Sequence, residues 1–154
     1  LLIVAMHFGV EYTHVPTKYQ IDMAEFLSSL GVDIIIGTHP HVIMPITYIN
    51  DTLVIYSLGN FLSAQDTNND YNTTVGLLSS IKITKNIDKD NNSSIKLSDL
   101  NNELIYTTSK DGYKIIPFSN PDIKDYLNDY ERVYNKYANI VRSIDSSINI
   151  NSLS

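Results

Sequence analysis

The sequence predicts an α/β fold: a strand–helix–strand unit, then antiparallel strands, then a long C-terminal helix. Three observations carry this reading. A continuous apolar run, Leu1–Met6, and a second strand-like stretch, Val32–Ile36, bracket a stretch of helical periodicity. Two shorter apolar runs flank Asn50-Asp51-Thr52. Apolar residues then step by three and four from Ile123 to Ile144.

Each element has a local reason. Leu1–Met6 reads as a strand buried on both faces, because it is apolar without alternation. His7-Phe8-Gly9 ends it. Pro16 suits the first position of a helix, and Tyr19, Met23, Phe26, Leu27 and Leu30 recur at helical spacing before a stop at Gly31. Val32–Ile36 is a second buried strand, closed by Gly37. Two strands joined through a helix are expected to be parallel, with a right-handed crossover. Ile46–Ile49 and Leu53–Tyr56 read as a hairpin. Residues 65–74 are a polar loop, Val75–Thr84 a strand, and residues 85–94 (KNIDKDNNSS) a mobile loop. Ile95–Leu97, Glu103–Ser109 and Tyr113–Pro117 read as short strands, with Lys110-Asp111-Gly112 as a turn. Asn120 caps the last helix and Pro121 opens it; Ile123, Leu127, Tyr130, Tyr134, Tyr137, Val141 and Ile144 form a stripe expected to dock on the domain's own sheet. The tail from Ser146 is expected to fray. The divisions are thus residues 1–118, a helix over 119–146 packed on them, and a tail over 147–154.

Composition narrows the function classes. The chain has 154 residues, 43% hydrophobic and 18% charged, enough to build a core. A net charge of −6 and no basic stripe argue against nucleic acid as a partner. Cysteine is absent, so disulfides and thiolate metal sites are excluded. No apolar run reaches the roughly 18 residues that span a bilayer. The chain opens on Leu1, inside a strand already under way. The sequence is therefore expected to be part of a longer domain, with its sites completed from elsewhere.

The chemistry gathers at strand ends. His7 follows the first strand; His39 and His41 follow the second, in Gly37-Thr38-His39-Pro40-His41; Asn60 follows the fourth. In an open α/β sheet, ligands bind beyond the carboxyl ends of the strands, and parallel neighbours put those ends on one side. His7 is therefore expected to converge with His39 and His41. Pro40 is expected to hold His39 extended. Imidazole pairs suit zinc, manganese or iron better than calcium or magnesium. Glu11 is the one acid close behind His7, and reads equally as solvated or functional. Asp33 lies at the wrong end of its strand. His14 reads as a bystander or a substrate contact rather than a ligand, and Tyr12 as a core residue more than a pocket wall. Gly59-Asn60 alone reads as a turn.

Five motifs occur in order: His7-Phe8-Gly9-x-Glu11-Tyr12, Pro16-x-x-x-Gln20, Gly31-x-Asp33, Gly37-x-His39-Pro40-His41-Val42 and Tyr56-Ser57-Leu58-Gly59-Asn60-Phe61. Together, over residues 1–62, they resemble the bacterial poly-γ-glutamate capsule synthesis proteins, the CapA-like family, which is similar to the calcineurin-like metallophosphoesterases. The resemblance implies the C-terminal half of a metallophosphatase-like α/β sandwich. It also implies a site of two divalent transition-metal ions, manganese, zinc or iron, with His7, His39 and His41 as ligands and Glu11 and Asn60 contacting substrate or water. The bridging aspartate and the Asn-His pair of that superfamily are absent from this sequence, so the expected partner is the N-terminal half of the same domain. Without that half the chain is expected to be inactive and to be open to homodimerisation. The family implies a cell-surface protein, anchored in the membrane outside these residues and working with capsule polymer or its synthesis machinery. The alternative is a non-catalytic assembly or export scaffold that keeps the metal-site fold.

Overall fold

The computed structural model describes residues 1–65, 70–110 and 112–153. The chain forms two sheets with helices packed against them. In the first sheet the strands run in the order β1 (Ile3–His7), β2 (Ile34–Thr38), β4 (Thr52–Ile55), β3 (Ile46–Ile49). β1, β2 and β4 are parallel, with Ile3 opposite Ile34 and Ile34 opposite Leu53; β3 pairs antiparallel with β4 through the turn at Asn50-Asp51. The helix α1 (Lys18–Ser29) crosses between β1 and β2. Its N-cap is Thr17, so Pro16 lies just outside the helix rather than at its first position. The Thr17 hydroxyl accepts from the Gln20 amide at 3.2 Å, while the Gln20 side chain accepts from the Thr17 amide at 3.0 Å, a reciprocal capping box. The helix ends where expected. Gly31, at φ +81, donates to the Ser28 carbonyl and Val32 to the Leu27 carbonyl, the pair of bonds a left-handed glycine permits at a helix end.

The two faces of this sheet bury different cores. Ile35, Val54 and Tyr56 pack with Ala24 and Met44 beneath α1. Ile34, Leu53, Ile55 and Ile46 face the opposite way, toward the second sheet and the C-terminal helices. β1 departs from the expectation of burial on both faces. It is the edge of the sheet, with Leu1 59%, Leu2 49% and Ile3 46% exposed. Between it and the second sheet lies an apolar groove of about 170 Å³, lined by Ile3, Ile36 and Ile81 among others.

The second sheet, β5 (Val75–Ile87), β6 (Ser93–Thr108) and β7 (Lys114–Pro117), is antiparallel. Here the structure corrects the sequence reading. The 85–94 segment is not a loop excursion, and Ile95–Leu97 and Glu103–Ser109 are not separate strands. β5 and β6 form one long ribbon, paired from Val75–Tyr106 out to Ile87–Ser93. Its tip is a tight turn in which the Asp88 carboxylate accepts from the Asp90 and Asn92 amides at 2.8 Å each, an Asx-type closure. The turn expected at 110–112 includes Asp111, which lies outside the described residues, as do residues 66–69 of the polar loop.

The C-terminal helical segment is broken. α2 (Ile123–Tyr126) and α3 (Tyr130–Val141) are separated at Leu127, which is extended at φ −141. The stripe nonetheless docks on the chain's own core: Ile123, Leu127, Tyr137 and Val141 are buried there and Tyr130 and Tyr134 partly so, joined by Val133, whereas Ile144 is exposed. The tail does not fray. Ile148 and Ile150 are buried, and the Asn151 amide donates to the Asn102 carbonyl at 2.8 Å. No helix among the described residues is long and apolar enough to cross a membrane.

Candidate functional site

The parallel register puts the carboxyl ends of β1, β2 and β4 on one side, because His7 pairs with Thr38 and Ile36 with Ile55. The loops that leave these ends are laced together. The Phe8 amide donates to the Thr38 carbonyl and the Tyr12 amide to the Pro40 carbonyl, at 3.1 and 2.8 Å. Gly37 makes the close fit possible: a Cβ there would stand 2.0 Å from the Tyr56 carbonyl oxygen.

The lacing bends the backbone sharply. His39 has φ +99, His41 φ +59 and Tyr12 φ +61. His39 is thus not extended as its Pro40 neighbour suggests; the interloop bonds override the local preference. Left-handed non-glycine residues cost of order 1–3 kcal/mol each and collect at sites where geometry serves function.

The result is a cluster of imidazoles. The His7 and His39 rings lie 4.6 Å apart between centroids, and those of His39 and His41 6.3 Å apart. The Thr38 hydroxyl donates to the Met6 carbonyl at 3.2 Å, so its oxygen is free to accept from His7 Nδ1 at 3.4 Å. Glu11 Oε1 lies 3.9 Å from His41 Nε2. Tyr12 stacks on the His41 ring at 6.1 Å and is 46% exposed, a wall of the site rather than a core residue. On the far side of the ring, His41 Nδ1 donates to Asn60 Oδ1 at 3.0 Å. Asp33 accepts from the Leu2 amide at the opposite end of the sheet.

The donor chemistry, three imidazoles and a carboxylate, is the kind that borderline transition metals take. It is not closed: among the described residues no group of three or more His, Asp or Glu side chains is arranged to hold a metal ion.

Sequence reasoning gave His14 no structural part, yet it is tightly bound. Its Nδ1–H donates to the Ile43 carbonyl at 2.7 Å, and its Nε2 lies 3.1 Å from Asn72 Oδ1. Position 72 draws attention in sequence only as the start of Asn72-Thr73-Thr74, a glycosylation-type triplet.

The fold and the cluster define an α/β protein with imidazoles massed at the carboxyl ends of parallel strands. More particularly, residues 1–65 match the family described as bacterial capsule synthesis protein PGA_cap. The PGA biosynthesis protein CapA of Bacillus subtilis (strain 168) is 45% identical over 65 residues, covering 42% of this chain and 17% of that protein. The capsule biosynthesis protein CapA of Bacillus anthracis is 38% identical over 65 residues, covering 42% of this chain and 16% of that protein. The matched stretch is thus about a sixth of the length of these curated relatives.

Proposed function

We propose that the protein serves bacterial capsule biosynthesis at the cell envelope, acting on poly-γ-glutamate or a related anionic polymer. The support is the match over residues 1–65 and the capsule-biosynthesis names of the two relatives. Membrane anchoring through sequence beyond these residues, and contact with the synthesis machinery, belong to the same proposal.

The finer reading is a hydrolase centre of two divalent transition metals, with His7, His39 and His41 as nitrogen ligands. The observation that carries it is the meeting of three imidazoles from two neighbouring parallel strand ends. A second contact supports it. With Nδ1 donating to Asn60, a neutral His41 turns the lone pair of Nε2 toward the Glu11 carboxylate, 3.9 Å away. Two electron-rich atoms so placed call for a cation between them, a proton or a metal. A metal held by His7, His39 and His41 would supply Lewis-acid polarisation of a phosphoryl or carbonyl oxygen. The chain's own residues hold the geometry: Tyr12 covers one face of the His41 ring, Glu11 faces water or substrate, and Asn60 stands behind His41. The remaining carboxylate ligands are proposed to come from chain that completes the sheet along the open edge of β1.

Elemental analysis and phosphodiesterase or peptidase assays on the full-length protein test this reading. Wild type is expected to carry transition metal and to hydrolyse substrate; the His39→Ala/His41→Ala double variant is expected to lose both. Unchanged metal content in the double variant rejects the metal centre. The scaffold reading has one observation in its favour, the lack of a closed three-donor group among the described residues. It predicts that deleting the gene abolishes capsule while the double variant retains it.

A further inference from the structure

Asn60 is bonded at both ends of its amide. Its Nδ2 donates to Gln65 Oε1 at 2.8 Å and to the Thr73 main-chain carbonyl at 3.0 Å, and its Oδ1 faces His41 Nδ1 at 3.0 Å. A main-chain carbonyl only accepts. The amide nitrogen is therefore the end that faces Thr73, the oxygen faces His41, and His41 Nδ1 must carry the hydrogen. In the neutral ring this leaves Nε2 as the lone-pair nitrogen, on the side of Glu11.

The Thr73 carbonyl is itself held. The turn 70–74 closes through the Thr74 and Val75 amides, both donating to the Tyr71 carbonyl. Asn72 Oδ1 accepts from the Tyr137 hydroxyl at 2.9 Å and from Lys136 Nζ at 3.0 Å. The Tyr137 hydroxyl also reaches the Asp70 carbonyl at 3.0 Å. From the other side the His14 ring, held by its Nδ1–H on the carbonyl of Ile43, two residues beyond His41, packs against Asn72 with Nε2 3.1 Å from Oδ1. Tyr137 is fully buried, so its hydroxyl is a fixed point.

We propose that Asn60 is a positioning residue that sets the His41 tautomer, and that the turn 70–74, clasped between His14 and α3, sets Asn60. The C-terminal part of the chain, outside the matched residues, then belongs to the working site. A partner hydrogen-bonded to one ring nitrogen commonly fixes which imidazole nitrogen is presented to the site. The proposal deepens the metal-centre reading and rests on it for its purpose, but its test needs no metal.

The experiment is a long-range proton–nitrogen correlation spectrum of imidazole-labelled full-length protein, freed of metal, at a pH where the rings are neutral. The His41 signals are identified by their loss in His41→Ala. Wild type is expected to show His41 protonated at Nδ1. Asn60→Ala is expected to release the ring to exchange with the Nε2–H form, and Asn60→Asp, which still accepts, to retain Nδ1–H. Tyr137→Phe, which keeps the ring but removes the hydroxyl, is expected to shift His41 part of the way, with the His7 signals unmoved. An Nε2–H tautomer in wild type, or an unchanged Nδ1–H in Asn60→Ala, overturns the proposal; an unmoved His41 in Tyr137→Phe overturns the α3 clasp. Because the spectrum is taken without metal, failed metal uptake by the intact protein rejects the metal centre and leaves this result standing.

Discussion

At the scale of the residue, the decisive contacts are close approaches rather than charges. Gly37 lies in β2 against the carbonyl of Tyr56, and no other residue type fits. Gly37→Ala would force a Cβ to within 2.0 Å of the Tyr56 oxygen, so β2 or the chain after β4 must shift. Such overpacking costs about 3 kcal/mol. Urea denaturation is expected to show a lowered midpoint for Gly37→Ala, with weaker lacing of the histidine loops; an unchanged midpoint would mean that the two backbones are not in contact. The sequence shows Gly37, His39 and His41 plainly, because a glycine closing an apolar run and a His-Pro-His loop each have a local signature. It does not show Asn60 held by Thr73, since a main-chain carbonyl has no residue identity. Nor does it show the left-handed backbone at His39, which is imposed by a bond between loops.

At the scale of the element, burial decides what could be read in advance. β1, α1, β2 and the β3–β4 hairpin were legible because each presents an apolar face or a stop signal. The outer half of the β5–β6 ribbon was not. It carries KNIDKDNNSS on an exposed surface, where pairing leaves no hydrophobic alternation. The break before α3 falls at Asn128-Asp129, two poor helix formers, while Leu127 keeps the stripe in phase and disguises it. The clasp of α3 on the turn 70–74 is electrostatic in part. Hydrogen bonds from Arg132 and then Lys136 pull the Asp70 carboxyl down to about 2. A carboxyl with a lowered folded-state pKa stabilises above its ordinary value of 3.8 and loses that contribution as pH falls toward about 2. The side chain is 47% exposed, so solvent screening limits the effect to about 1 kcal/mol. Thermal unfolding is therefore expected to separate wild type from Asp70→Asn at neutral pH and to bring them together in that acid window. A gap that does not change with pH would contradict the ion pairs.

At the scale of the whole molecule, one sheet serves two purposes. Its faces hold α1 on one side and the second sheet with α3 on the other, while the carboxyl ends of its parallel strands hold the histidines. The edge at β1 is left unpaired among the described residues, with apolar side chains exposed beside it, a surface on which another strand can pair. The proposed metal and the further ligands proposed for it are therefore tested together in the full-length protein. The most direct measurement is anomalous diffraction from crystals of the full-length protein grown with manganese or zinc. The account predicts a metal peak at ligand distance, about 2.0–2.2 Å for zinc, from imidazole nitrogens of His7, His39 and His41, with β1 paired along its outer edge. A peak elsewhere, or none while the three rings keep their places, would contradict it.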